Sequence, residues 1–532
     1  MNLLKSSLLG SAAAFAAIGA GHAADLPVKK AAPVEFVRVC NAYGAGFWYI
    51  PGTDTCLRIS GRARFEYLYQ NTGNRSGTNG DVSGYRGLAR INMDARTQTA
   101  YGTLRAFTRI EIQNRTGPYF TSGSRQREGL AIPALGADAF GRAQQYVDVD
   151  KAFIQFAGIT AGRASSFFDF YAHDFEMIGG TTGSDTYSTN LLAYTAKLDG
   201  GWSATISAED PTYRRFPVFG SGSSTSAAPL AFSSAFAPFG TGTFLAPIVV
   251  GTNQVAFVDA TQKNRVPDVV GVLRLDQAWG SLQLSAASHE INGGNASFVA
   301  TTPTGGLTVA SAGRAPTTYG WAVQAGGKFN LPFIAPGDAL YLQGAYSEGA
   351  NAYTGIANYT YPYDAQSAAP FSGGSFITYN NDAVINPATG RYTLAQSFTV
   401  VASYLHYWSP EWRSAIYGSY GEVSYSKSAR AALGTIGFGF SPTTSVANAN
   451  AFAFSSVLRD NNLMVAGASL IWSPVKDLDI GVEGAYVRAA LNNGLTNDIN
   501  KNPAGVNVNG VPVKLIGSTD TFQTRFRVQR DF

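Results

Sequence analysis

The stretch CLRISGRARFEYLY alternates apolar and polar side chains almost residue by residue. Leu57, Ile59, Ala63, Phe65 and Tyr67 share one face, and Arg58, Ser60, Arg62, Arg64 and Glu66 share the other. A period of two belongs to a strand with unlike faces, because successive side chains leave the pleat on opposite sides. The pattern recurs in GLARINMDAR, with Ala89, Ile91, Met93 and Ala95 opposed to Arg90, Asn92, Asp94 and Arg96. GTLRAFTRIEIQ then separates Leu104, Ala106, Ile110 and Ile112 from Arg105, Phe107, Arg109 and Glu111. A chain written this way folds as antiparallel sheet with one charged and one apolar face.

Hairpins continue the rhythm. Short turns join 145–157 to 159–168, 189–198 to 201–209, 267–276 to 279–290 and 318–329 to 338–347. Two later hairpins, YWSPEWRSAIYGSYGEVSY and IWSPVKDLDIGVEGAYVRA, carry the same Trp-Ser-Pro and are expected to share a turn, with Pro fixing φ. A lone strand over 520–532 ends the chain, and the total expected is about 16 strands. The other connections are long: 210–266, 291–317, 348–395, 427–460 and 490–519, rich in Gly, Ser, Thr, Ala and Asn. Structureless loops of that length argue against a soluble domain.

The opening MNLLKSSLLGSAAAFAAIGAGHA has one Lys, an apolar run and small residues at Gly21 and Ala23, the pattern of an export leader cleaved after Ala23. A membrane anchor is the other reading, but the run falls short of the roughly 20 apolar residues a spanning helix needs. No later run reaches that length. In an exported chain, Cys40 and Cys56 most simply form one disulfide. The expected divisions are the leader at 1–23, an N-terminal segment with the disulfide loop at 24–55, and a barrel at 56–532.

Alternation alone does not separate a soluble sandwich from a membrane barrel, whose apolar side chains face lipid and whose interior is polar. Export, short turns on one side with long loops on the other, and a strand number large enough to enclose water favour the closed transmembrane barrel. A barrel also pairs every backbone group inside hydrocarbon. Catalysis is disfavoured: no nucleophile elbow, phosphate loop or HExxH motif occurs, and His22, His173, His289 and His406 are scattered. Net charge of +4 is too small to suggest nucleic acid, and no cofactor or metal is expected.

YVDVDKAFIQFAGITAGRASSFFDF, two strands ending in Gly-Arg before a long loop, resembles the segment preceding the constriction loop of bacterial porins. The block ADLPVKKAAPVEFVRVCNAYGAGFWYIPGTDTCLRISGRARFEY, with both cysteines, resembles the mature start of alphaproteobacterial porins. That resemblance implies a 16-stranded outer-membrane barrel, a homotrimer in outer-membrane lipid, passive diffusion of small hydrophilic solutes and ions, and a third loop folded into the lumen. A terminal aromatic at Phe532, on a strand whose apolar face holds Phe522, Phe526 and Val528, resembles the signal read by the barrel-assembly machinery.

The expected site is electrostatic. The third loop is placed at 169–188, with Asp169, Asp174, Glu176 and Asp185. Opposite it, Arg62, Arg64, Arg90, Arg96, Arg105 and Arg109 form a basic wall, which Arg525 and Arg527 extend across the seam beside Arg62 and Arg64. Acid facing base would set a transverse field and a weak anion preference. Pairing of some Arg with Glu66, Asp94 or Glu111 is the plainer alternative. A substrate-selective channel, or a surface-binding adhesive protein using loop segments such as NAYTGIANYTYPYD, is the competing function.

Overall fold

In the computed structural model, sixteen antiparallel strands close into one barrel. They are β1 (Cys56–Gln70), β2 (Ser83–Thr99), β3 (Gly102–Arg115), β4 (Gln144–Phe156), β5 (Ile159–Ser165), β6 (Ser188–Lys197), β7 (Trp202–Glu209) and β8 (Asp268–Gln277). The second half is β9 (Gly280–Ile291), β10 (Thr318–Asn330), β11 (Ala339–Glu348), β12 (Gln396–Tyr407), β13 (Trp412–Ser424), β14 (Asn461–Val475), β15 (Leu478–Leu491) and β16 (Ser518–Asp531). The structure describes residues 38–532 except 71–82, 117–143, 171–176, 178–179, 185–187, 217, 220, 223–243, 251–253, 261, 295–296, 301–306, 310–314, 357–374, 377, 437–451, 499–506, 509–510 and 513. The expected leader at 1–23 and residues 24–37 lie outside the described residues.

The apolar face points outward. Ile59, Phe65, Ile91, Met93, Ile112, Ile206, Leu284, Val400, Ile416, Val482, Phe522 and Phe526 are all exposed, as a lipid-facing band requires. Among the described residues no helix is long and apolar enough to cross a membrane, and the strands do the crossing. Aromatic pairs collect at the turn end: Trp279 stacks on Phe329 at 6.0 Å and Trp412 on Trp472 at 5.8 Å. That is where amphipathic rings suit the membrane–water boundary.

The two Trp-Ser-Pro segments do different jobs. Ser409 and Pro410 form the β13 hairpin turn, where Trp408 N–H donates to the Trp412 carbonyl at 2.9 Å. Ser473 and Pro474 instead lie inside β14, where the register slips between Trp472 and Val475, and the turn falls on Lys476 and Asp477. Pro lacks the ladder donor, so a bulge accommodates it.

Closure pairs β1 with β16, from Arg62 opposite Asp531 to Gln70 opposite Gln523. Phe532 continues the seam: its N–H donates to the Gly61 carbonyl at 3.0 Å, and Gly61 N–H donates to the Phe532 carbonyl at 2.8 Å. A Cβ at Gly61 would overlap the Phe532 ring and the Arg90 carbonyl, so the seam needs glycine there.

The long connections are not structureless. Val218–Phe219 runs parallel to Ala383–Val384, and Ala383–Asn386 pairs with Arg391–Leu394. With helix α1 (Lys427–Ile436), these segments bury Phe219, Tyr379, Val384, Tyr425, Ala429 and Leu433 against inward residues of the barrel strands, Tyr417, Val465 and Val487 among them. Their Gly- and Ser-rich composition hid a few apolar residues spaced too widely for a periodic signal.

Candidate functional site

The inward face of β1–β4 and β16 is a continuous network of arginines and carboxylates. Arg62 Nε donates to Asp531 Oδ1 at 2.6 Å, and Arg64 donates twice to Gln529 Oε1, at 2.9 and 2.6 Å. Arg90 Nε donates to Glu111 Oε1 at 2.6 Å. Arg96 and Arg105 both grip Asp94, at 2.8 and 2.9 Å. Arg109 donates to Asn92 at 2.8 Å and to Asp150 at 3.2 Å. Strand alternation puts all of these on one face, and the antiparallel register sets Arg62 opposite Asp531 and Arg90 opposite Glu111, while Arg96 and Arg105 face each other across the ladder and share Asp94. The plainer expectation, that the wall arginines pair within the wall, describes these contacts.

Glu66 is the most crowded acid. It is fully buried and meets Arg86, Arg527 at 2.6 Å and Arg525 at 3.6 Å. The seam register sets Arg527 opposite Glu66 and Arg525 opposite Leu68, so Arg527 is the diagonal neighbour of Arg64, while Arg525 sits one step further up the seam and neither adjoins Arg62. The difference arises because β16 runs on to Asp531 before meeting Arg62.

Arg525 and Arg527 reach the third loop through its backbone. They donate to the Met177 carbonyl at 2.9 and 2.7 Å, while Met177 N–H donates to Glu483 at 2.5 Å. On the far wall, Gln283 and Gln324 donate to the Phe168 carbonyl at 3.3 and 2.7 Å, and Thr182 N–H donates to Ser419 at 3.0 Å. The loop leaving β5 therefore crosses the lumen. Asp169 does not face the arginine wall; it is held by Arg214, with Ser184 Oγ donating to it at 2.7 Å. Burial works against the Arg214 charge, but Asp169, Tyr353 and Glu209 together more than offset this and the pKa is raised. Asp174, Glu176, Asp185 and His173 lie outside the described residues.

Exposure separates the two sides of the lumen. Inward residues of β9–β13, namely Gln283, Gln324, Gln343, Ser347, Ser397, Thr399 and Ser419, are at most 6% exposed. The loop and a 3₁₀ turn at Asn351–Thr354 cover them; Thr399 donates to the Thr354 carbonyl at 2.7 Å. Arg62, Arg90, Arg96, Arg105 and Arg109 keep 21–27% of their side-chain surface. These five arginines are therefore the accessible part of the wall, whereas Glu66, Arg86, Glu111 and Arg525 on the same strands are buried.

Below the wall, Cys40 and Cys56 form a disulfide, and Trp48–Tyr49 pairs with the foot of β1. Above it, Asp382 is fully buried, accepting from Asn351 N–H at 2.7 Å and Phe216 N–H at 2.6 Å, with His289 Nε2 at 3.9 Å. Burial pushes this loop carboxyl up to about 7, against the opposing influence of His289. Sequence reasoning missed this cluster, because its members come from four separate loop and strand ends.

The pattern of the porin subfamily matches residues 25–509. The chain belongs to that family. Porin Omp2b of Brucella suis is 36% identical over 214 residues, covering 39% of this chain and 52% of that protein. Porin Omp2a of Brucella suis biovar 1 is 26% identical over 428 residues, covering 78% of this chain and 95% of that one. Among solved structures, the outer membrane channel DcaP of Acinetobacter baumannii covers 91% of this chain and 99% of its own, at 15% identity and a TM-score of 0.49. This porin is an outer-membrane β-barrel; its strand pairing, described above, establishes the closure independently.

Proposed function

We propose that this porin is a water-filled diffusion channel for small hydrophilic solutes and ions, and that three copies assemble in outer-membrane lipid. The observation that carries the reading is the contrast in exposure: loops bury one side of the lumen while Arg62, Arg90, Arg96, Arg105 and Arg109 stay partly exposed on the other. With Arg64, Arg525 and Arg527, they form the constriction wall. On β1–β4 and β16 the inward arginines, the eight named with Arg58, Arg86 and Arg115, outnumber the inward carboxylates Glu66, Asp94, Glu111, Asp148, Asp150 and Asp531. The excess favours anions modestly, because charge rings tune ion preference. Asp169 adds no opposing charge to this wall, because Arg214 holds it.

A second reading, a substrate-selective channel, draws on the loop segments that pack against inward residues of the barrel strands. Liposome swelling with sugars of graded size separates the two. A smooth decline of rate with size supports diffusion; one sugar outrunning smaller ones supports selectivity; no swelling with any sugar defeats both.

A further inference from the structure

The inward face of β3 and β4 carries two rings that the charge network does not need. A porin interior is polar, yet Phe107 and Phe153 both point inward, partly exposed, from directly paired positions. Their rings stack at 5.3 Å with an interplanar angle of 29°. Guanidinium groups border this platform along the wall: Arg105 lies 5.0 Å from the Phe107 centroid and 5.5 Å from that of Phe153, and Arg109 lies 5.7 Å from Phe107. Below them Arg96 stands over Phe47 at 5.0 Å. Arg96 and Arg105 share the single carboxylate of Asp94, so this stretch carries more positive than negative charge. Both belong to the partly exposed side of the lumen.

Resting on the reading of the barrel as an open channel, we infer that this stripe is a binding subsite for planar aromatic carboxylates on the turn-side half of the lumen. A flat ring meets the Phe107 and Phe153 platform, where aromatic pairs gain beyond simple burial. Its carboxylate meets Arg105 and Arg96, whose shared acid leaves them attractive to an anion. An aliphatic acid of equal charge gains only the second contact, and a neutral aromatic only the first.

The test is ion-current block of the full chain in planar bilayers at moderate salt, with benzoate, cyclohexanecarboxylate and benzyl alcohol as probes. Benzoate is expected to block at about fivefold lower concentration than cyclohexanecarboxylate, the scale of one aromatic contact, with benzyl alcohol weaker than either. Phe107→Leu with Phe153→Leu is expected to bring the two acids within about twofold while leaving the potassium chloride conductance unchanged. Equal block by the two acids, or discrimination that survives the double substitution, overturns the subsite; so does stronger block by the neutral alcohol. If the double variant does not assemble, Phe107→Leu alone is read the same way. Calorimetric titration of the detergent-solubilised protein with the same probes needs no current. A closed barrel that still prefers benzoate would refute the diffusion channel and keep the subsite; an open one without the preference would do the reverse.

Discussion

Replacing Glu66 with Gln perturbs the wall where charge is densest. Three guanidiniums, of Arg86, Arg525 and Arg527, converge on this fully buried carboxylate. Unit charges about 4 Å apart interact by roughly 4 kcal/mol at an effective dielectric near 20. Much of that offsets the cost of taking the ions out of water. Gln keeps the shape and removes the charge, leaving the three cations around a neutral amide. Deleting one partner of a buried ion pair costs about 3–5 kcal/mol, because the remaining charge is uncompensated, and Glu66→Gln is expected in that range. Two of the three, Arg525 and Arg527, also hold the Met177 carbonyl, so their repulsion loosens the loop that crosses the lumen. Urea unfolding of the protein in lipid vesicles, followed by tryptophan fluorescence, reads the first effect, and single-channel current noise reads the second. A loss below about 1 kcal/mol, on a scale where buried pairs cost several, together with unaltered noise, would refute the claim that Glu66 organises this part of the wall.

The Cys40–Cys56 disulfide closes a short loop, and replacing both residues with Ser is expected to remove about 3 kcal/mol from the N-terminal segment, seen as new proteolytic cleavage between 41 and 55. Gly61→Val puts a side chain where the Phe532 ring and the Arg90 carbonyl lie; the folded, heat-modifiable form on gels should fall sharply, while Gly87→Val, with open space around it, should leave it intact. Asp382 gives the loop cap a pH dependence. Its carboxyl stays protonated in the fold up to about pH 7 but ionises near 3.8 when unfolded, so the cap is most stable in acid and weakens as pH rises between those values. His289, Asp268 and Tyr425 are the titratable neighbours. Hydrogen exchange at Phe216 and Asn351, corrected for intrinsic rate, should be slower at pH 5 than at pH 8, and Asp382→Asn should flatten the difference.

The barrel was readable because each strand has lipid on one side and water on the other, and that asymmetry imposes the period of two. Leu57 through Tyr67, Ala89 through Arg96 and Leu104 through Glu111 show it with few exceptions, and the faces read from them are the faces observed. The wall arginines were readable for the same reason. Their partners were less so. Arg525 and Arg527 meet Glu66 only through the seam register, which joins strands some 460 positions apart and depends on where β16 stops. The repeated Trp-Ser-Pro looked like one turn used twice, but the register around Pro474 made a bulge of the second. Asp169 carried no local sign that Arg214 would claim it. Loop cores such as Phe219 with Tyr379 are built from residues far apart in sequence, where periodicity has nothing to report.

The central claim is that water and ions pass along the arginine wall of β1–β4 and β16. Arg62→Ala with Arg64→Ala removes two cations and the bonds to Asp531 and Gln529, leaving Asp531 exposed to the passage. Reversal potentials across a tenfold potassium chloride gradient should shift towards cations, and single-channel conductance should rise as the section widens. If both quantities match those of the unaltered protein, the passage does not run along this wall.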